Sequence, residues 1–183
     1  YQDIAEKLIT ASLADSTVYN RLAYVCDTFG PRLSGSDNLE NAIDWILEEL
    51  EQDGFSNVRG EKVEVPVWIR GKESVRLIKP FAKDLAMLGL GGSIGTPSAG
   101  IRGEVIVVDS FEELDDRKDE VKGRIVLFNA EFTTYGETVQ YRYKGAPAAA
   151  QYGAVASLVR SVGSWSMNTP HTGVMAYADT IPK

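Results

Sequence analysis

The stretch Phe29-Gly-Pro-Arg-Leu-Ser-Gly-Ser36 separates two helical patterns in this sequence of 183 residues. Gly30-Pro31 ends the first pattern, because glycine is favoured just past a helix end and proline cannot continue the helix. Asp37 and Glu40, three positions apart, have the spacing of a capping box that begins the next helix. Arg32 is therefore predicted beside a helix N-terminus. Two interpretations stay open: a carboxylate site at free backbone N–H groups, or a connector whose arginine caps a neighbouring carbonyl.

Apolar residues recur at helical spacing on both sides of this loop, and they predict helices over residues 2–13, 17–28 and 37–53. Gly54 has the position of a left-handed residue that closes the third helix in a Schellman motif. Cys26 falls on the apolar face of the second helix, so we expect it to be buried. As the only cysteine in the sequence, it also excludes an internal disulfide.

Residues 62–69 alternate between apolar and polar side chains, which predicts a strand, and Pro66 makes it an edge strand. The Arg70-Gly71-Lys72 break that follows predicts a domain junction. Beyond it, short strands and helices alternate, including a βαβ unit. The predicted strands are 74–78, 85–88, 105–108, 124–128 and 154–159, and the predicted helices are 111–121 and one from 144 to 153.

The charge distribution also divides the chain. Residues 1–60 hold 11 acidic and 4 basic side chains, a net charge of −7, whereas the remainder is neutral. An acidic chain is a poor partner for nucleic acid or an anionic membrane. No apolar run approaches the length that a membrane span needs. We expect two regions of different character, with the boundary after residue 60.

No complete catalytic constellation is present in the sequence. One histidine, one cysteine and no H-E-x-x-H motif are too few for a recognisable zinc site. Gly91 to Gly95 matches the G-x-S-x-G nucleophile elbow around Ser93, with Asp109 and His171 downstream. The elbow needs a helix directly after the serine, and Pro97 disfavours one. We therefore expect a flexible or ligand-contacting glycine loop there.

Five segments resemble the carboxypeptidase Q family (also called plasma glutamate carboxypeptidase) of di-zinc exopeptidases. They are Phe29-Gly-Pro-Arg-Leu-Ser-Gly-Ser36, Leu88-Gly-Leu-Gly-Gly-Ser-Ile-Gly-Thr-Pro97, Val108-Asp-Ser-Phe-Glu-Glu-Leu114, Thr138-Val-Gln-Tyr-Arg142, and Ala156-Ser-Leu-Val-Arg-Ser-Val-Gly-Ser164 through Pro170-His-Thr-Gly173. The resemblance runs the whole length in matching order.

The resemblance implies an α/β fold in two parts. Residues 1–72 resemble the N-terminal helices and an edge strand of the peptidase α/β domain, and residues 73–183 resemble a β-rich α+β protease-associated domain inserted in it. The implied activity is that of a zinc metallocarboxypeptidase or dipeptidase, secreted or lysosomal and homodimeric, acting on small unblocked peptides. Its two zinc ions would be bound by ligands later in the polypeptide, so this chain alone is expected to be inactive.

The resemblance assigns no catalytic residue and no metal ligand to this chain. Arg32, Ser34 and Ser36 become candidates for the wall of the substrate cleft, and His171 for its entrance. Two alternatives stay open: a non-catalytic protease-associated module for interaction or dimerisation, and a serine hydrolase that uses Ser93.

Overall fold

The computed structural model describes residues 1–165 and 168–177. The chain consists of two compact units, an N-terminal unit, Tyr1–Trp68, and a C-terminal unit, Ile69–Lys183. Helices and both parallel and antiparallel strands are present, which confirms the α/β class. No helix in the described ranges is long and apolar enough to cross a membrane.

Three helices form the N-terminal unit: α1 (Gln2–Ala14), α2 (Thr17–Phe29) and α3 (Asp37–Gln52), as predicted. Aromatic rings of α2 and α3 are in contact, with the Tyr24 and Trp45 centroids 5.0 Å apart. The predicted Schellman motif is confirmed at the end of α3. Gly54 has a φ of +84°, and the Phe55 amide donates to the Leu50 carbonyl at 3.1 Å.

The apolar faces of the first two helices are exposed. Ala42 is the only buried residue among residues 1–68. Leu8 on α1 is 67% exposed and Leu22 on α2 is 60% exposed. The prediction that Cys26 is buried was wrong, since it is exposed. The apolar periodicity correctly predicted helices α1 and α2. The described part of the chain leaves their apolar faces uncovered.

The predicted edge strand over residues 62–69 was also wrong. The segment pairs with no strand in the described part of the chain, and Val63 is 73% exposed. Alternating side chains make an extended segment amphipathic, but a strand forms only when a neighbouring strand supplies hydrogen-bond partners.

The C-terminal unit contains two small sheets. Strands β1 (Val75–Leu77) and β2 (Lys83–Leu85) form an antiparallel pair. A three-stranded parallel sheet has the order β3 (Val105–Val108), β4 (Ile125–Phe128), β5 (Ala156–Val159). Helix α4 (Phe111–Asp116) and a 3₁₀ turn, Lys118–Glu120, connect the first two parallel strands, and helix α5 (Tyr135–Ala150) connects the last two. The predicted βαβ unit is confirmed.

Helix α5 begins nine residues before its predicted start at 144. Its N-cap is Thr134, whose hydroxyl accepts a hydrogen bond from the Glu137 amide at 3.4 Å. Threonine followed three residues later by glutamate is a capping-box pattern, so the start was readable from the sequence.

The core of this unit lies between the parallel sheet and its two helices. Phe128, Val108 and Val126 are fully buried, together with Ile106, Leu114, Val121 and Ala149. The Phe111 and Tyr141 rings stack at 4.7 Å on the edge of this cluster. Gly145 lets α5 approach closely, because a Cβ there would lie 3.0 Å from the Phe128 ring. Both helices therefore cover the same face of the sheet.

Candidate functional site

Arg32 contacts the end of the helix that precedes its loop. Its Nη1 donates to the Val25 carbonyl at 2.9 Å and to the Gly30 carbonyl at 2.7 Å. The guanidinium therefore bridges a carbonyl near the end of α2 and the carbonyl of its C-cap residue, Gly30. These contacts favour the interpretation of the loop as a connector, in which Arg32 caps neighbouring carbonyls. A role for Arg32 in a substrate cleft stays a prediction.

Ser36 is the N-cap of α3, one position before the predicted cap at Asp37. Its hydroxyl accepts from the Leu39 amide at 3.3 Å and donates to the Leu33 carbonyl at 2.7 Å. Serine and aspartate are both preferred at the N-cap, so the sequence alone does not tell whether Ser36 or Asp37 is the cap of α3. Ser34 is exposed in the turn and forms no hydrogen bond with any described residue.

His171 belongs to the C-terminal unit and is exposed there. Its Nδ1 lies 3.1 Å from Nη1 of Arg142, and its backbone amide donates to the Ser161 hydroxyl at 3.0 Å. Arginine can only donate, so Nδ1 is the acceptor and the ring proton of a neutral His171 is on Nε2. The Tyr135 ring meets the imidazole edge-on at 5.9 Å. The free Nε2 is the group that His171 can offer to a ligand.

Arg142 is the buried centre of this cluster and is only 9% exposed. Its guanidinium also donates to the Tyr135 hydroxyl at 3.1 Å and to the Thr172 carbonyl at 3.3 Å. Its Nε has no hydrogen-bond partner among the described residues. A Cβ on Gly173 would lie 2.6 Å from Cζ, so glycine is required for this approach. No sequence pattern pointed to Arg142 as the residue that holds the His171 loop.

The glycine-rich stretch is pinned at its start. The Gly89 amide donates to the Glu73 carboxylate at 2.9 Å, and the Gly89 carbonyl accepts from the Thr172 hydroxyl at 3.0 Å. The Gly91 amide donates to the Gly173 carbonyl at 2.8 Å. Hydrogen bonds therefore hold the backbone of Gly89 and Gly91, and the expectation of a flexible or ligand-contacting glycine loop stays a prediction. These glycines bring three backbone segments together.

Ser93 does not form a nucleophile elbow in the described residues. Its amide closes a turn onto the Leu90 carbonyl at 3.0 Å, and residues 94–104 contain no helix. The imidazole of His171 is engaged by Arg142, and Asp109 accepts from the Asn129 side chain at 3.3 Å. The triad geometry that a serine hydrolase needs is absent from this arrangement.

No three His, Cys, Asp or Glu side chains within residues 1–165 and 168–177 come together in a way that could hold a metal ion. Zinc in proteins is bound by three or four such ligands. The described residues therefore do not fit a zinc site.

Two carboxylates with a lowered pKa, Glu113 and Glu137, lie in the first turns of α4 and α5. The Asp109 amide and Arg117 lower the pKa of Glu113, and the Thr133 and Thr134 hydroxyls lower the pKa of Glu137. Carboxylates at these helix starts are favoured by the free amides of the first turn. Their perturbation has a structural cause.

The comparison with known proteins shows strong similarity over the whole chain. It is 48% identical to carboxypeptidase Q of Mus musculus, 49% identical to that of Homo sapiens and 51% identical to that of Rattus norvegicus. The chain is similar to carboxypeptidase Q. The alignments cover 99–100% of the chain but only 39–40% of each carboxypeptidase Q, so the chain spans about two fifths of the length of these relatives. No family model matches the chain.

Two solved structures are similar to the chain. A peptidase M28 precursor from Shewanella amazonensis is 33% identical, with a TM-score of 0.86 over 99% of this chain and 42% of its own. BSAP, a zinc aminopeptidase from Bacillus subtilis, has a TM-score of 0.58 at 18% identity over 85% of this chain and 36% of its own. At that identity the second likeness shows a shared fold and nothing more.

Proposed function

We propose that this chain is the N-terminal part of a secreted or lysosomal zinc exopeptidase of the carboxypeptidase Q type, which hydrolyses small unblocked peptides. The observation that carries the proposal is 48–51% identity over the whole chain to proteins of that name. The described residues supply no metal-binding cluster. The two zinc ions and the groups that act on the peptide bond therefore belong to further residues of the same polypeptide.

The exposed apolar faces of the N-terminal unit support this assignment. An amphipathic helix gains stability by burying its apolar stripe against another layer. Helices α1 and α2 expose Leu8 and Leu22, and the extended segment 62–69 exposes Val63. A partner layer and a partner strand from the rest of the polypeptide would cover all three. Residues 1–72 then form part of a peptidase α/β domain, and residues 73–183 form the inserted protease-associated domain.

The site candidates act within this proposal as binding and positioning groups. Arg32, with Ser34 and Ser36, shapes a wall of the substrate cleft. His171, held by Arg142 with its Nε2 free, lies at the substrate entrance. The complete enzyme is a homodimer in this proposal.

Zinc analysis and dipeptide hydrolysis, measured on two polypeptides, test the proposal. One is this 183-residue chain, and the other is the longer polypeptide that contains it. We expect zinc and hydrolysis only in the longer polypeptide. Stoichiometric zinc or hydrolysis in the 183-residue chain would contradict the proposal, and so would a longer polypeptide that binds zinc but cleaves no dipeptide. A fluorophosphonate probe should leave Ser93 unlabelled in both.

His171→Ala in the longer polypeptide tests the entrance role. We expect KM to rise with kcat unchanged, because Nε2 is outside the proposed chemistry. Ser161→Ala is the matched control, since it removes the hydroxyl that holds the His171 backbone and leaves the imidazole in place. Unchanged kinetics in His171→Ala would contradict the entrance role.

A non-catalytic interaction module is the second candidate, and the exposed apolar face of α1 and α2 favours it. This candidate predicts that the 183-residue chain forms a stable dimer by sedimentation. Replacing Leu8 and Leu22 by serine would then abolish the dimer. A chain that stays monomeric would exclude dimerisation through this face.

A further inference from the structure

The three parallel strands end at one edge of the sheet, and each is followed by a polar residue. Val108, Phe128 and Val159 are register partners across the sheet. The ladder continues one step further, because the Asn129 amide donates to the Val108 carbonyl and the Arg160 amide donates to the Phe128 carbonyl, both at 2.8 Å. Asp109, Asn129 and Arg160 are therefore neighbours at the carboxyl edge.

These three side chains point to the same face of the sheet. Successive side chains in a strand alternate between faces. Val108 and Phe128 point into the core under α4 and α5, and the partly buried Val159 packs against the same core. The residues that follow them point to the opposite face, which neither helix covers. The hydrogen bond from Asn129 Nδ2 to Asp109 Oδ1 at 3.3 Å confirms that two of the side chains meet there.

A cavity of about 560 Å³ opens at this place. Asp109, Asn129 and Arg160 line it, together with Glu131, Phe132 and Ser164. Its volume is in the range of small-molecule sites, which are about 300–1,000 Å³. Phe132 is half-buried and supplies the apolar part of the wall.

The charges in the cavity are separated and do not neutralise each other. The guanidinium of Arg160 and the carboxylate of Glu131 form no ion pair with any described residue. Strand β4 lies between Asp109 and Arg160, so their backbones are two strand spacings apart, about 9–10 Å. Asn129 occupies the gap. A ligand with only a positive charge would be repelled by Arg160, and a ligand with only a negative charge would be repelled by the carboxylates of Asp109 and Glu131.

We propose that this cavity binds a small zwitterion, an unblocked α-amino acid with an apolar side chain. Arg160 binds the carboxylate, for which its planar fork of N–H donors is suited. Asp109 and Glu131 accept from the ammonium group, and Phe132 contacts the side chain.

Calorimetric titration of the 183-residue chain with L-leucine tests the proposal. Free leucine contains no peptide bond, so the result does not depend on whether the chain hydrolyses peptides. We expect saturable binding, and an affinity about tenfold lower in Arg160→Gln, because a charge-assisted pair with the carboxylate is lost. Glu131→Gln should weaken leucine binding as well. N-acetylleucine and leucinamide, which each lack one charge, should bind about tenfold more weakly than leucine.

Arg102→Gln is the matched control. Arg102 is exposed and precedes β3, so it lies towards the opposite, amino edge of the sheet, and its replacement should leave leucine binding unchanged. Circular dichroism of each variant verifies that the fold is intact. A site for leucine with a Kd of about 1 mM would be nearly saturated at about 10 mM leucine. An absence of saturable binding up to that concentration would therefore overturn the proposal. Equal affinities of the wild-type chain and Arg160→Gln, or of leucine and its blocked forms, would also overturn it.

Discussion

Gly173→Ala is expected to destabilise the C-terminal unit through a single contact with Arg142. The new Cβ would lie 2.6 Å from Cζ, 2.7 Å from Nη2 and 2.9 Å from Nε. Non-bonded heavy atoms are most stable at about 3.5–4.0 Å, so the guanidinium or the loop must move by about 1 Å. The side chain cannot simply swing away, because it is buried and bonded to Tyr135, His171 and Thr172.

The magnitude follows from these contacts. Inserting a methyl group into a packed site costs about 1–3 kcal/mol. Alanine also restricts the unfolded chain, which offsets about 0.4–1 kcal/mol. We therefore expect Gly173→Ala to lower the free energy of unfolding by about 1–2 kcal/mol, which changes the folded-to-unfolded ratio by a factor of about 5–30.

Hydrogen exchange of amides in α5 measures this effect without interference from the N-terminal unit. Peptides from Tyr135–Ala150 should exchange about 5–30 times faster in Gly173→Ala. Gly136→Ala is the matched control: nothing lies within 4 Å of its Cβ, and it is in the same helix. Alanine there should slow exchange, because glycine in a helix costs about 0.5–1 kcal/mol relative to alanine.

A double-mutant cycle identifies the cause. In an Arg142→Ala background the guanidinium is gone, so Gly173→Ala should cost little further stability. If Gly173→Ala costs as much in that background as in the wild type, the contact with Arg142 is not the reason. A Gly173→Ala chain as stable as the wild type would refute the reasoning altogether.

Three further predictions concern the N-terminal unit. Ser36→Ala removes the N-cap of α3 and should cost about 1 kcal/mol in urea unfolding, whereas Ser34→Ala at the exposed turn should have no effect. Arg21 lowers the pKa of Asp53 in the folded state. Their interaction therefore stabilises the folded state fully above the unfolded-state pKa of about 3.9. This stabilisation is lost as the pH falls from there through the lower, folded-state pKa. Stability compared at about pH 6 and pH 3 should therefore change less in Arg21→Met than in the wild type, and an equal change would contradict this cause. Arg32→Met should lower the stability of this unit, because the hydrogen bonds to the Val25 and Gly30 carbonyls are lost, while the zinc content of the longer polypeptide stays unchanged.

Local signals predicted much of the fold. The three N-terminal helices and the βαβ unit followed from apolar periodicity, because a helix or strand needs one apolar face wherever it packs. The left-handed Gly54 followed from its place just past α3. The start of α5 was not predicted, although Thr134 and Glu137 have the spacing of a capping box. The exposure of Cys26 could not be predicted, since periodicity states which face is apolar and not whether anything covers it.

The sequence by itself determined which segments are helical and which side of each is apolar. Those properties depend on residues within a few positions of one another. Only the tertiary structure decided that residues 62–69 have no partner strand in the described chain, and that the Gly89–Gly91 backbone is pinned against Gly173. It also decided that Arg142 holds His171 across 29 positions, because that contact depends on how α5 packs on the sheet and where the chain returns. A distant contact of this kind has no period and no motif, and so it leaves no local trace in the sequence.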